Sequence, residues 1–275
     1  MKKKGHGISL IVPFHCPKSS DQRAKNWRWL KSYWKHHLPG AEIIMGEDKV
    51  SKQNPSKPFS KSVAVNHGVK KAKGDIFVII DADGYISAHS ILLCAGRIRR
   101  ARERDQKLWF VPYRQFYRLT KEASAKVLCS DPKDPYRFPT PPAACHTQND
   151  SGSRYGHWWG AGIQICPREA FECVGGWDER FRGWGGEDHA AMQAMDTLYW
   201  RHQTLPGQHL HIWHPMLSDN NEEGAEDKSG WVGWKYRVWN NQKNSGANDK
   251  LSSRYYGAKG HVKRMRKLVK EWQTK

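Results

Sequence analysis

Asp75-Ile76-Phe77-Val78-Ile79-Ile80-Asp81-Ala82-Asp83-Gly84 is the stretch on which the reading of this chain turns. Ile76 to Ile80 is an unbroken run of β-branched and aromatic residues, the pattern of a short strand buried on both faces, as in a parallel sheet. Where the run stops, two carboxylates stand two residues apart and a glycine follows. Binding sites in open α/β sheets lie beyond the carboxyl ends of strands. Carboxylates are hard oxygen ligands suited to Mg²⁺ or Mn²⁺, and Mg²⁺ uses one or two of them together with substrate phosphates. The position therefore predicts a metal–diphosphate site. Ordinary turn chemistry, with Asp81 capping a turn and Asp83 preceding glycine, is the competing reading. A second motif downstream separates the two.

Upstream, Ile8-Ser9-Leu10-Ile11-Val12 reads as a first buried strand stopped by Pro13. Ser19 or Ser20 can cap a helix from Asp21 to His37, with Trp27, Leu30 and Trp34 at core spacing, before Pro39-Gly40 ends it. Ala41 to Met45 is a second strand, with Glu47-Asp48 at its carboxyl end, and the polar segment Lys49 to Pro58 reads as a loop. Ser60 caps a helix striped by Val63, Val65, Val69 and Ala72, which Gly74 closes. Alternating strands and helices over the first eighty residues predict a Rossmann-like half. Downstream, a basic helix spans Ala88 to Lys107, and Leu108 to Val111 is a fourth strand. Cys129 to Tyr155 is proline-rich and lacks an apolar period, so it reads as a long functional loop.

Composition bounds the class. The 275 residues can bury a sizeable core as one large domain or two small ones. Mean hydropathy is −0.83, and no apolar run approaches the roughly 20 residues of a bilayer span. The basic Met1 to Gly7 precedes an apolar run too short for a signal peptide, so a cytoplasmic location is expected, host cytoplasm if the source is viral. Six scattered cysteines form no C-x-x-C pair, which argues for reduced thiols. The net charge of +19 is well above the magnitude of about 2–8 usual for a small soluble domain. It predicts a polyanionic partner.

Gly175-Gly176-Trp177-Asp178-Glu179-Arg180-Phe181-Arg182-Gly183-Trp184-Gly185-Gly186-Glu187-Asp188 is the most specific stretch. Glycine pairs permit backbone conformations and close approaches closed to other residues. Glu187-Asp188 opens a helix through Ala190 to Trp200, where the macrodipole favours ionised carboxylates. A charged aspartate held on a glycine-lined wall suits a general base for a hydroxyl. Helix capping alone is the competing reading.

The strand-terminal Asp-Ala-Asp paired with Gly-Gly-Trp-Asp-Glu…Trp-Gly-Gly-Glu-Asp resembles the GT-A fold glycosyltransferases, family 2 enzymes above all, with a galactosyltransferase type of C-terminal half. The resemblance covers about Ile8 to Pro215, and the tail from Tyr255. Asn66…Gly68…Ala72-Lys73-Gly74-Asp75 matches the family's approach to its metal motif, whereas Phe14-His15-Cys16 departs from the usual Thr-Tyr-Asn. It implies an α/β GT-A fold: a Rossmann-like, mostly parallel central sheet flanked by helices, with residues 1–216 catalytic. Residues 217–275 then form a basic, aromatic-rich extension packed on it. It implies that Pro13 and Phe14 line the nucleotide pocket and that Glu47 or Asp48 contacts the base or ribose. Lys61 and Asn66 approach the donor. Asp81 and Ala82 lie on the ribose side, and Asp83, with Asp81, holds Mn²⁺ or Mg²⁺. Trp158, Trp159, Gly160, Trp184, Gly185 and Gly186 shape the sugar pocket. Asp188 is the catalytic base, and Glu187 bonds the donor sugar or acceptor.

The metal wants a further ligand, and His209-Leu210-His211-Ile212-Trp213-His214 supplies candidates. By period two, His211 and His214 face opposite ways unless the strand ends first. The resemblance favours His214 over His211. The implied activity is metal-dependent, inverting transfer from a nucleotide sugar, a UDP-sugar, to an acceptor hydroxyl. A non-catalytic sugar- or nucleic-acid-binding module is the rival, but the carboxylates are all present. The arginine-dense 97–104 segment and the basic helix at 259–275 predict a polyanionic acceptor. The acceptor this composition favours is a hydroxymethylated base in DNA, as in virus-type DNA modification, flipped out for attack. An anionic glycan, lipid or protein acceptor is the alternative.

Overall fold

The computed structural model describes residues 7–15, 21–54, 57–138, 162–183, 185–214 and 247–274, with the backbone of 145–148. The first half alternates as its patterning requires. It runs β1 (Ile8–Pro13), α1 (Gln22–His37), β2 (Glu42–Gly46), α2 (Lys49–Gln53), α3 (Lys61–Lys71), β3 (Ile76–Ile80), β4 (Gly84–Tyr85) and α4 (Ala88–Glu103). The second half follows with β5 (Phe110–Val111), β6 (Gln115–Leu119), α5 (Lys121–Cys129), β7 (Cys145–Gln148), β8 (Ile163–Pro167), α6 (Arg168–Cys173), α7 (Glu187–Leu198), β9 (Gln203–Thr204) and β10 (Gln208–His211). Two C-terminal helices, α8 (Ala247–Ala258) and α9 (Val262–Gln273), complete the described chain.

The central sheet has the strand order β2-β1-β3-β8-β5-β9. Neighbours β1–β2, β1–β3 and β5–β9 are parallel, and β8 runs antiparallel between β3 and β5. It is a mostly parallel sheet with one reversed strand. Every residue of β1 and β3 is buried, which is why β3 reads as an unbroken apolar run and β1 is interrupted only by the buried Ser9. Trp27 and Trp34 lie in the core as expected, at 5% and 1% exposure.

A second sheet, β4-β10-β6-β7, was not legible in advance. Its shortest strand begins at Gly84, directly after the Asp-Ala-Asp stretch, and pairs antiparallel with β10. That pairing brings the histidine-rich strand to the end of β3. The amide of Ile212 donates to the carbonyl of Asp83 at 2.9 Å.

Several boundaries move. The expected loop after Asp48 contains α2, because the Asp48 carboxylate accepts the Val50 amide and caps a turn of helix. The basic helix stops at Glu103, followed by Asp105 at positive φ. The motif helix starts at Glu187, as its opening carboxylates imply, and ends at Leu198 rather than Trp200. Within the expected 129–155 loop lies β7, paired with β6.

The C-terminal helices pack on the second motif. Tyr255 donates to the buried Asp178 carboxylate at 2.9 Å, and Arg180 grips the same carboxylate at 2.6 Å. Arg180 also reaches Glu271 of α9 at 3.1 Å. Asn248 of α8 and the Arg182 backbone exchange hydrogen bonds of 2.9 and 3.3 Å. The apolar face of α9 sits on this base through Met265, Leu268 and Val269, and its lysines point outward. Removing a hydrogen bond to a buried carboxylate costs roughly 1.5–3 kcal/mol. Tyr255→Phe should therefore lower the unfolding free energy by that amount and shift the urea midpoint downward, and an unchanged urea midpoint would show that the helices are not braced through Asp178.

Candidate active site

Two clusters of side chains meet beyond the carboxyl end of β3. The first is built from three elements. Ser60 caps α3 through its hydroxyl, which accepts the Val63 amide, and so places Lys61 at the helix's first position. The glycine-rich loop reaches over from the other side. Gly183 donates to the Phe59 carbonyl at 2.9 Å, and the Ser60 hydroxyl donates to the Phe181 carbonyl at 2.8 Å. Gly186 then takes a left-handed conformation, φ 91°, before α7 begins. A Cβ there would stand 3.0 Å from Ser252 and 3.2 Å from Phe181, so both backbone and packing call for glycine.

This delivers Asp188 to Lys61. The Lys61 ammonium lies 2.8 and 3.0 Å from the two Asp188 oxygens and 2.5 Å from Asp81. It also stands 5.7 Å from the centre of the Trp177 ring. Glu187 is buried beside them and accepts the Gly185 amide at 3.1 Å. Gln164 of β8 donates to the Asp188 carbonyl at 3.0 Å, holding the first turn of α7 against the sheet. One ammonium thus serves three acids. Burial disfavours its charge, yet Asp188, Asp81 and Glu187 together raise its pKa and keep it protonated. Burial likewise raises the pKa of each acid, and Lys61 offsets this only in part; Asp188 is pushed up to about 7.

The second cluster is Asp83, His211 and His214, whose ligand atoms all lie within 4.8 Å of one another. Strand β10 ends at His211. The irregular chain that follows frees His214 from strand alternation, so both histidines face Asp83, at 3.5 and 3.2 Å. Burial opposes the Asp83 charge, but His211, His214 and Arg23 hold its carboxyl well below the usual range. Burial, aided by Arg118, pushes the His211 pKa down, against the pull of Asp83. An ionised carboxylate beside a neutral imidazole is the donor state a divalent cation requires. Three ligands on one side leave coordination positions open to a substrate. The set fits Mn²⁺ or Mg²⁺, and two imidazoles favour Mn²⁺, since Mg²⁺ prefers oxygen. Asp81, expected to share the metal, stands outside this set with its carboxylate on Lys61.

Residues 46–130 match the family model for glycosyl transferase family 2, and residues 142–212 match the model described as the N-terminal domain of galactosyltransferase. The two matches support a glycosyltransferase of the family 2-like type. Among solved structures, the glycosyltransferase is similar to the catalytic domain of Drosophila β1,4-galactosyltransferase 7 in complex with xylobiose. The identity is 16% and the TM-score 0.39, over 76% of this chain and 72% of that one. It is also similar to GalNAc-T7 with UDP, GalNAc and Mn²⁺, at 14% identity and a TM-score of 0.43, over 78% of this chain and 45% of that one. No curated protein matches the sequence.

The other expected site residues divide. Pro13 ends β1, and Phe14 packs against Trp27, ring centres 6.1 Å apart. Ala82 is buried between the two aspartates. Glu47 is exposed and pairs with Lys52 at 3.1 Å. Asp48 and Asn66 hold structure. The Asp48 oxygens accept from Val50, Ser60 and Arg182. Asn66 clasps the backbone of Trp177 from both sides, at 2.8 and 2.9 Å. Trp158, Trp159, Gly160 and Trp184 lie outside the described residues. His209 is fully buried and fills space beside Gly84 and Gly162, where a Cβ would clash with its ring.

Two arginines escaped the sequence reading. Arg23 of α1 lies 3.1 Å from His214 and 3.7 Å from Asp83. Arg118 of β6 stands in register with His211. Neither belongs to a motif; only the pairing of β6 with β10 and the docking of α1 bring them to the site.

Proposed function

We propose that this glycosyltransferase catalyses metal-dependent, inverting transfer of a sugar from a UDP-sugar to an acceptor hydroxyl. One observation carries the reading. The cation-ready set Asp83, His211 and His214 adjoins the Lys61–Asp81–Asp188 group at the end of β3. In this reading Asp83, His211 and His214 hold Mn²⁺ or Mg²⁺. When bound, the cation would neutralise charge growing on the departing diphosphate. Asp188 accepts the proton of the acceptor hydroxyl as its oxygen bonds to the anomeric carbon. The bond from that carbon to the β-phosphate oxygen breaks in line, and UDP leaves with its electron pair. Lys61 keeps Asp188 oriented and shares its charge with Asp81 on the donor side. Glu187 holds the glycine turn through Gly185 and, with its other oxygen, bonds the donor sugar or the acceptor. Pro13, Phe14, Ala82, Gly185 and Gly186 line the donor pocket. Residues 1–216 act as the catalytic part, and helices α8 and α9 of the 217–275 extension brace the second motif.

The acceptor is the finer question. The net charge of +19 supports a polyanion. A hydroxymethylated base in DNA and a cytoplasmic location belong to this reading, and the outward lysines of α9 favour it. Helix α4 offers less than its composition promised. Arg102 is bound to Asp75 at 2.8 Å and to Glu169 at 3.1 Å, and Arg99 lies 3.7 Å from Asp75. No helix among the described residues is long and apolar enough to cross a membrane. The test is transfer from labelled UDP-sugars, with Mn²⁺ or with chelator, to hydroxymethylated DNA, unmodified DNA and charged or neutral glycans. Label on hydroxymethylated DNA alone supports the DNA acceptor. Label on glycans alone removes it and leaves the transferase standing. Chelator-resistant turnover, or no turnover with any donor, overturns the proposal.

A further inference from the structure

We propose that Arg118 binds the diphosphate of the nucleotide-sugar donor from the β6 side of the metal site. The inference rests on the donor reading above and adds a contact residue to it.

The placement is geometric. Strands β6 and β10 are parallel and in register, with Arg118 opposite His211 and Phe116 opposite His209. Register partners project to the same face of a sheet, and so do residues two apart on one strand. Phe116, Arg118, His209 and His211 therefore share one face. The ring contacts agree. The Phe116 ring centre lies 4.8 Å from His209, 6.2 Å from His211 and 5.8 Å from the Arg118 guanidinium carbon. Arg118 and His211 thus flank the same phenyl ring, on the face that carries the cation-ready set.

The guanidinium is poorly served there. Among the described residues Arg118 makes no hydrogen bond and no ion pair, although it carries five donors. Burial lowers its pKa, and Asp83 and Asp81 offset only part of that cost. Arg23, the arginine that approaches the cluster from α1, is by contrast paired with Asp83 and His214. A half-buried guanidinium with open donors at the rim of the site is completed by an anion, and its planar fork matches phosphate oxygens in bidentate fashion. An anion that also bridges to a cation held by Asp83 and His211 is the donor's diphosphate. At the leaving side it would stabilise charge that grows as the glycosidic bond to phosphate breaks.

The test uses the full-length protein and calorimetric titration of UDP and of UMP in saturating Mn²⁺, with Mn²⁺ affinity measured separately by electron paramagnetic resonance. Arg118→Met should weaken UDP about tenfold or more, the scale of a hydrogen bond to a charged group. UMP and Mn²⁺ alone should change less than about twofold, since neither supplies the bridging phosphate. Arg118→Lys retains the charge without the fork and should recover part of the loss. Thermal melting checks that each variant is folded. UDP affinity unchanged in folded Arg118→Met overturns the inference. So does an equal loss for UDP and UMP, or a change confined to acceptor KM. Wild-type protein that binds no UDP in Mn²⁺ overturns the donor reading and this inference together.

Discussion

Asp188→Asn is expected to remove most turnover while leaving UDP and Mn²⁺ affinity close to wild type. The substitution keeps the shape of the side chain in the first turn of α7 and discards its proton affinity. General-base catalysis contributes roughly 10²–10⁴-fold, so donor hydrolysis and sugar transfer should fall by at least the lower figure. The same carboxylate sets a pH signature. Burial, reinforced by Glu187 and Asp81 against the pull of Lys61, holds its pKa near 7. The working form is the deprotonated one. Rate should therefore be full above that pH and drop about tenfold for each unit below it, in kcat/KM, which reports the free enzyme. Near-normal rates in Asp188→Asn, or an acid limb that survives the substitution, would place the base elsewhere. Glu187 is then the next residue to replace, since it shares the buried cluster but spends an oxygen on Gly185.

Asp83→Ala and His214→Ala carry the second large effect. Loss of a residue that merely supports a metal ligand costs about 10–100-fold in affinity, so loss of a ligand itself should reach at least the upper end. Both variants should bind UDP in Mn²⁺ no better than wild type does in chelator. His211→Ala should behave alike, because the end of β10 brings it within 3.5 Å of Asp83, against 3.2 Å for His214. Asp81→Asn should differ in kind. Its carboxylate lies on Lys61 and not among the three ligands, so Mn²⁺ affinity should hold while donor turnover falls. Equal loss of Mn²⁺ in Asp81→Asn and Asp83→Ala would mean that both carboxylates ligate the ion.

Arg23 is a useful control for both experiments. It is half exposed and sits against His214 and Asp83 from α1. Its removal tests whether the electrostatics of the cluster or the ligands themselves govern Mn²⁺ binding.

The sequence by itself determined the local elements and the two motifs. Short, β-branched apolar runs read as strands, and β1, β2 and β3 came out within a residue of their expected bounds. Ser60 announced a helix start, and its hydroxyl does cap α3. The glycine pairs before Glu187 announced a backbone that other residues cannot adopt, and Gly185 and Gly186 take positive φ. These are short-range properties, set by sterics and hydrogen bonding within a few residues. The tertiary structure alone decided which side chains meet. Strand β4 is two residues long and carries no periodic signal, yet its pairing with β10 sets His211 and His214 against Asp83. The family resemblance alone assigns donor contacts to Asp48 and Asn66; in the fold their side chains hold the Arg182 and Trp177 segments. Arg118 was invisible in the sequence. Its role depends on the register of two strands far apart in sequence, and register is a property of the sheet rather than of either strand.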